Sequence, residues 1–251
     1  KRFWEICKKN DILYISDEVV TSFGRLGYFF SSEEVFGIIP DIITTAKGIT
    51  SGYMPLGAAL FSDRLMEDVR KESSLFFHGY TYSGHPACCT AALKNIEIIK
   101  RDKILEHVRD IGPYFQKELT KLKDIPIVGD VRGKGLMTGI ECVMNKDSRE
   151  ALVLDQAIGN RIDEESLKLG LIIRPLYHVC VLSPALIITK KQIDDLVKKL
   201  RNAITNAMIK VKEEGLWSEW FIMFLIIKKY LDFESINPSI KYLSISAFFT
   251  G

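Results

Sequence analysis

The chain has 251 residues, 47% of them hydrophobic and 26% charged, with a formal net charge of +2. That composition is ordinary for globular protein and sufficient for one large domain or two small ones. Acidic and basic residues are mixed along the chain. No basic block points to nucleic acid or a membrane surface, and no acidic block points to a disordered tail. Five cysteines are present, Cys7, Cys88, Cys89, Cys142 and Cys180, irregularly spaced and without a C-x-x-C. An odd, scattered set argues against a disulfide framework or a zinc site and fits a reducing compartment, with most of the thiols acting as small core residues.

The chain opens with Lys1-Arg2-Phe3-Trp4-Glu5-Ile6, which has neither an initiator methionine nor a signal-peptide pattern. Phe3, Ile6 and Cys7 share a helical face, so the sequence reads as starting inside a helix, with an N-terminal part missing. Ile12 to Ile15 is a short apolar run bounded by Asn10-Asp11 and Asp17-Glu18, the pattern of a buried parallel strand. Gly24, Gly27 and Ser31 to Glu34 mark a loop and a short helix. A second apolar run, Ile42 to Ala46, stops at Lys47-Gly48. A loop rich in Gly and Pro follows, then a third strand, Ala58 to Phe61. Strands separated by helices predict an α/β domain with a mostly parallel sheet, whose ligands sit beyond the carboxyl ends of the strands. Asp17 and Lys47 both close an apolar run, so two strands can bring them to one crevice.

Helical spacing covers Pro86 to Arg101, with Pro86 suited to the first turn, and a second helix spans about 103–123. Beyond residue 124 the texture changes. Strands are expected over 125–131, 135–143, 171–174 and 179–182, and helices over about 151–169 and 190–213, which makes a smaller α+β unit. Helical patterning ends at Glu213-Glu214-Gly215. The apolar run Trp220 to Ile227 is too short for a bilayer, which takes about 20 residues in a helix. Residues 218–251 differ in composition from the rest and read as an atypical tail, either an extra element or an artefact of the gene or reading frame.

Three motifs carry a resemblance to a known family. The first is Ser16-Asp17-Glu18-Val19-Val20-Thr21-Ser22-Phe23-Gly24-Arg25-Leu26-Gly27. The second is Pro40-Asp41-Ile42 with Ala46-Lys47-Gly48-Ile49, continuing through Gly52-Tyr53-Met54-Pro55-Leu56-Gly57-Ala58. The third is His78-Gly79-Tyr80-Thr81-Tyr82-Ser83-Gly84-His85-Pro86. In order and spacing they resemble class III aminotransferases, the ω-amino acid:pyruvate type of pyridoxal-phosphate-dependent enzyme. The likeness runs from Lys1 to about Trp217, the C-terminal half of the family chain. Ser22 and Leu26 depart from the family's glycine and threonine. The first would tighten a loop and the second removes a hydroxyl near the expected subunit interface. The family's main phosphate-binding loop and its ring-stacking aromatic lie in the half not matched.

The resemblance implies roles that stand beside local alternatives. Lys47 would be the cofactor lysine, since an amine condenses with the aldehyde of pyridoxal 5'-phosphate and can later shuttle a proton. Gly48 would let backbone and cofactor approach closely. The alternative is an exposed lysine opening a loop. Asp17 would pair with the pyridine nitrogen and keep it protonated, which makes the ring a better electron sink; otherwise it caps the next turn. Val19, two residues on and facing the same side, would pack on the ring, or be a strand-core valine. Thr81 would bind the cofactor phosphate of the neighbouring subunit, or be a turn threonine. Arg174 would receive the substrate carboxylate as a bidentate partner, or simply close a surface strand. His78 and His85 are given no catalytic role, and no metal site is expected.

The expected fold is α/β. Residues 1–123 form the C-terminal part of the large domain of fold-type I pyridoxal-phosphate enzymes, and 124–217 form the small α+β domain. The implied function is transfer of an amino group from an ω-amino acid or amine to pyruvate or another 2-oxo acid. Other branches of the family, ornithine, acetylornithine, 4-aminobutyrate or diaminopelargonate types, and a truncated non-catalytic product are the alternatives. A homodimer or higher oligomer with shared active sites follows from the role of Thr81. No nucleic acid or membrane partner is expected. The location implied is cytoplasmic, or mitochondrial where a transit peptide has been lost.

Overall fold

The computed structural model describes residues 1–71, 77–143, 146 and 155–215. The expected tail at 218–251 and the start of the helix expected at 151–169 lie outside them. The helices are α1 (Arg2–Lys9), α2 (Ser31–Phe36), α3 (Asp63–Lys71), α4 (Pro86–Arg101), α5 (Ile104–Thr120), α6 (Asp155–Lys168) and α7 (Lys190–Glu213). The strands are β1 (Ile15–Asp17), β2 (Ile42–Thr45), β3 (Ala58–Phe61), β4 (Val128–Lys134), β5 (Met137–Cys142), β6 (Arg174–Leu176) and β7 (Val179–Leu182).

Helix ends follow local chemistry. Pro86 starts α4, where its missing N–H costs nothing. Thr189 and Gln192 form a reciprocal capping box at α7, the side chain of each bonded to the other's backbone N–H. Strand β1 begins later than the apolar run suggests. Tyr14 donates its N–H to Asp41 Oδ2 at 2.9 Å, and pairing with β2 starts only at Ile15, opposite Ile42.

The first sheet has the order β1-β2-β3. β1 and β2 are parallel, as expected, but β3 returns antiparallel to β2. The sheet is therefore mixed rather than mostly parallel. The Gly48 to Gly57 loop reverses the chain without the crossover that a parallel neighbour needs. Helix α3, for which the sequence reading had no assignment, follows β3 directly.

The second sheet, β4-β5-β7-β6, is antiparallel throughout. Helices α5, α6 and α7 share its core, where Phe115, Leu136, Ile140, Ile162, Ile193 and Leu200 are fully buried. Each such side chain contributes about 1.5–3 kcal/mol of burial free energy. Val108, Ile111, Phe115 and Leu119 recur at helical spacing on α5 and all enter this core. Helix α5 precedes residue 124, yet it packs with the second sheet. Beside the first sheet is a smaller cluster of Phe23, Ile49, Ala92 and Ile99. No helix among the described residues is long and apolar enough to cross a membrane.

Candidate active site

Asp17 ends β1 opposite Thr44 of β2, and Lys47 follows β2 by two residues. Both therefore leave parallel neighbours at their carboxyl ends, the position where such sheets bind ligands. Lys47 opens a single 3-10 turn, Lys47–Thr50, with φ of +42°. A non-glycine residue held there stores about 1–3 kcal/mol of strain and needs surroundings that enforce it.

Those surroundings are specific. Asn95 of α4 donates through Nδ2 to the carbonyls of Gly48 at 2.9 Å and Ile49 at 3.1 Å, and its Oδ1 accepts the Ser51 hydroxyl at 2.7 Å. Ser22 and Thr45 hydroxyls are bonded at 2.5 Å, which ties the loop after β1 to the end of β2. Phe23 lies beneath the turn with Phe29 and Phe30 edge-on to its ring at 5.8 Å. A Cβ on Gly48 would lie 2.8 Å from Phe23 Cβ and 3.1 Å from the Ser22 carbonyl oxygen. Glycine at 48 is thus required by the backbone packed under it, the close backbone approach expected from the sequence.

The chain leaving β1 is held by Glu18, which is 2% exposed. Its carboxylate accepts the N–H groups of Ser31 at 2.6 Å and Ser32 at 2.8 Å, the Ser32 hydroxyl at 2.6 Å and the Thr21 hydroxyl at 3.3 Å. A negative group on the first amides of α2 satisfies donors that the helix itself leaves open. Asp17 is exposed, and its Oδ1 accepts the Val19 N–H at 3.0 Å, the local turn contact named as its alternative. Asp17 Oδ2 has no hydrogen-bond partner among the described residues. Val19 is half-buried in the turn after β1, not on the strand, because Glu18 and Asp17 bend the chain there. Leu26, which the sequence placed near a subunit interface, is buried inside the chain against the β4–β5 turn. Ser22 does tighten its loop, through the Thr45 bond.

A cleft of about 1000 Å³ opens between the Lys47 turn and the segment following β7. Lys47, Tyr53 and Asn95 line one wall, and Arg174, Ser183 and Pro184 the other. Among the described residues its charged ones are Arg25, Lys47 and Arg174, and none that lines it is acidic. Such a site favours anionic ligands. The Lys47 amine is exposed, with no hydrogen-bond or ion-pair partner among the described residues. Arg174 is exposed on β6, opposite Val181. Burial lowers the pKa of the Arg25 guanidinium, which donates only to carbonyls, those of Leu136 and Pro184.

The structure thus brings Lys47 and Arg174 to one cleft. Asp17 and Val19 lie at the adjacent strand end, outside the lining. Thr81 sits apart, in an exposed turn before α4 where Ser83 Oγ accepts the Tyr80 N–H at 3.1 Å. Sequence reasoning gave no role to Asn95 or Arg25. Arg25 stood within a quoted motif, while Asn95 carried no signal beyond a polar residue on a helix. No group of three or more His, Cys, Asp or Glu among the described residues could hold a metal.

Known proteins match this chain in sequence and in fold. The family model "Aminotransferase class-III" matches residues 1–204. The putrescine–pyruvate aminotransferase of Pseudomonas aeruginosa is 41% identical over 201 residues, 80% of this chain and 43% of that protein. The adenosylmethionine-8-amino-7-oxononanoate aminotransferase of Methanocaldococcus jannaschii is 41% identical over 207 residues, 80% of this chain and 45% of its own. A solved aminotransferase from Vibrio fluvialis in its PMP-bound form is 35% identical with a TM-score of 0.77, covering 82% of this chain and 46% of that one. The chain therefore spans less than half the length of these relatives. Strand ends, turn and cleft sit within a fold and a sequence match that cover most of the chain, and the chain belongs to the class III aminotransferase family.

Proposed function

We propose that this chain serves pyridoxal-phosphate-dependent transamination, moving an amino group from an ω-amino acid or amine to pyruvate or another 2-oxo acid. One observation carries the reading. An unpartnered lysine amine stands on a strained turn at the carboxyl end of a parallel strand pair whose other strand ends at Asp17, and opens on a cationic cleft shared with Arg174.

The residues present fit the cofactor of this family. Among the described residues the cleft carries cations and no acid, which suits a phosphate-bearing ligand, and Asp17 Oδ2 is open to accept a pyridine N–H. When bound, the cofactor supplies the electron sink for charge developing at the substrate carbon. Lys47 would hold it through Nζ, and the same amine would carry a proton to and from the substrate Cα. Asp17 would hold the proton on the pyridine nitrogen. Val19 would pack on the ring face. Arg174 orients the substrate through its carboxylate. Thr81 serves the phosphate of a neighbouring subunit, so the working form is a homodimer or larger. Residues 1–123 belong to the cofactor-binding domain and 124–217 to the small domain, and the compartment is the cytoplasm.

The Pseudomonas relative's name favours an amine donor and pyruvate. The equal identity to the Methanocaldococcus relative supports the diaminopelargonate-type branch as the second reading. The test is to incubate the chain with pyridoxal phosphate, pyruvate and a donor panel including putrescine, and to quantify alanine. Alanine formed by the native chain and lost in Lys47→Ala supports the proposal. Equal alanine from both, or none with any donor, rejects it for this chain.

A further inference from the structure

Arg25 is half-buried, and among the described residues no carboxylate lies within ion-pair distance of it. Its Nη1 donates to Leu136 O at 3.2 Å and to Pro184 O at 2.5 Å. The Arg25 carbonyl accepts the Leu136 N–H at 3.0 Å. At Gly135, with φ of +56°, a Cβ would lie 2.7 Å from that same carbonyl oxygen and 2.8 Å from Leu26 Cα. The β4–β5 turn therefore rests directly on the Arg25–Leu26 backbone.

A guanidinium stays charged in proteins, and desolvating it against neutral carbonyls alone is costly. An aliphatic side chain of similar volume would serve stability as well or better. What arginine adds is direction. One nitrogen fixes two carbonyls, one in the β4–β5 turn and one in the segment after β7. That segment, Ser183 to Ile187, is the cleft wall facing the Lys47 turn. β7 in turn pairs with β6, where Val181 lies opposite Arg174. On the other side, Ser22 is bonded to Thr45, two residues before Lys47. A continuous path of backbone and hydrogen bonds thus runs from Lys47 through Thr45, Ser22 and Arg25 to Pro184, and on through β7 to Arg174.

We propose that Arg25 is a positioning residue that sets the reach between Lys47 and Arg174, and with it the length of the oxo acid or amino acid the cleft accepts. The proposal rests on the reading of Arg174 as the carboxylate partner.

The test uses the Lys47 amine itself. The chain is treated with ω-oxo carboxylic acids of increasing length, from glyoxylate upward, and with carboxylate-free butanal. Sodium cyanoborohydride is the reductant. Condensation releases water, hydride fixes the imine as a secondary amine, and mass spectrometry quantifies the adduct on Lys47. Normalised to butanal, the native chain should favour one length by ~10-fold or more, the worth of one charge-assisted pair. Arg174→Gln should abolish that optimum. Arg25→Met should flatten it to within ~3-fold across lengths, and Arg25→Lys, a cation with a compact head, should broaden it. A folded Arg25 variant that keeps the native optimum overturns the proposal. So does loss of cooperative melting in both Arg25 variants, which would make the residue one that only holds the fold. Pyridoxal phosphate trapping on Lys47 is run in parallel. Failure there with a retained length optimum contradicts the cofactor reading and leaves the role of Arg25 standing, and the reverse pattern overturns only the role of Arg25.

Discussion

Replacing Asn95 by alanine should loosen the Lys47 turn while leaving the rest of the chain folded. The side chain makes three hydrogen bonds to residues 48, 49 and 51. At about 1 kcal/mol net each, they hold the turn closed by about 3 kcal/mol. Alanine is the better helix residue in α4, but that preference is the same with the turn open or closed and does not offset the loss. The turn becomes about 3 kcal/mol easier to open. The strain at Lys47 pushes in the same direction. Hydrogen exchange reads this directly. The Ser51 N–H is bonded to Gly48 O and the Gly52 N–H to Lys47 O, both at 3.2 Å. Both amides should exchange roughly 150-fold faster in Asn95→Ala, with α7 unchanged. Asn95→Asp should be nearly as damaging, since it keeps the acceptor for Ser51 but sets a carboxylate against two carbonyls. Exchange at residues 47–53 within ~3-fold of native in both variants would refute the view that α4 holds this turn.

Glu18→Ala leaves the Ser31 and Ser32 amides buried without their acceptor, and should cost about 2–4 kcal/mol in urea unfolding; a loss under ~0.5 kcal/mol, as at an ordinary surface site, would contradict its capping role. Lys168 and Lys210 together hold the Glu165 carboxyl at a pKa of about 2, well below the usual carboxylate range. A depressed pKa adds stability above the unfolded-state value and loses it as pH falls toward the folded one. The stability difference between native chain and Glu165→Gln should therefore shrink from pH 5 to 2, as acid unfolding of both forms would show. Burial pushes the Cys180 thiol up to about 12 and the buried Cys142 well above its usual value. Iodoacetamide should therefore modify the half-buried Cys7 and Cys89 first, and early labelling of Cys142 or Cys180 would mean the second core is open.

Much of this was legible in the sequence because the signals are local. Helices α4 and α7 match their expected spans, since apolar spacing and end residues such as Pro86 lie within a few positions of what they control. Asp17 and Lys47 were placed at neighbouring strand ends because each closes an apolar run, and the structure has them there. The three motifs pointed to the family that the comparisons show. The hidden features are long-range. Asn95 acts on a turn 44–47 residues away, and Arg25 bonds carbonyls 111 and 159 residues away, separations at which no periodicity connects partners. The start of β1 shifted because pairing with β2, not hydrophobicity, decides where a strand begins. β3 reversed because an apolar run carries no direction. The burial of Leu26 was not legible because the glycine turn that covers it lies more than 100 residues on.

The most direct test is to mix the purified chain with pyridoxal phosphate, reduce with borohydride, digest, and locate the pyridoxyl adduct by mass spectrometry. The account predicts labelling concentrated on Lys47, lost in Lys47→Ala and reduced in Asn95→Ala. Labelling scattered over surface lysines, with Lys47 no more reactive than the rest, would contradict the claim that this turn and cleft form a cofactor site.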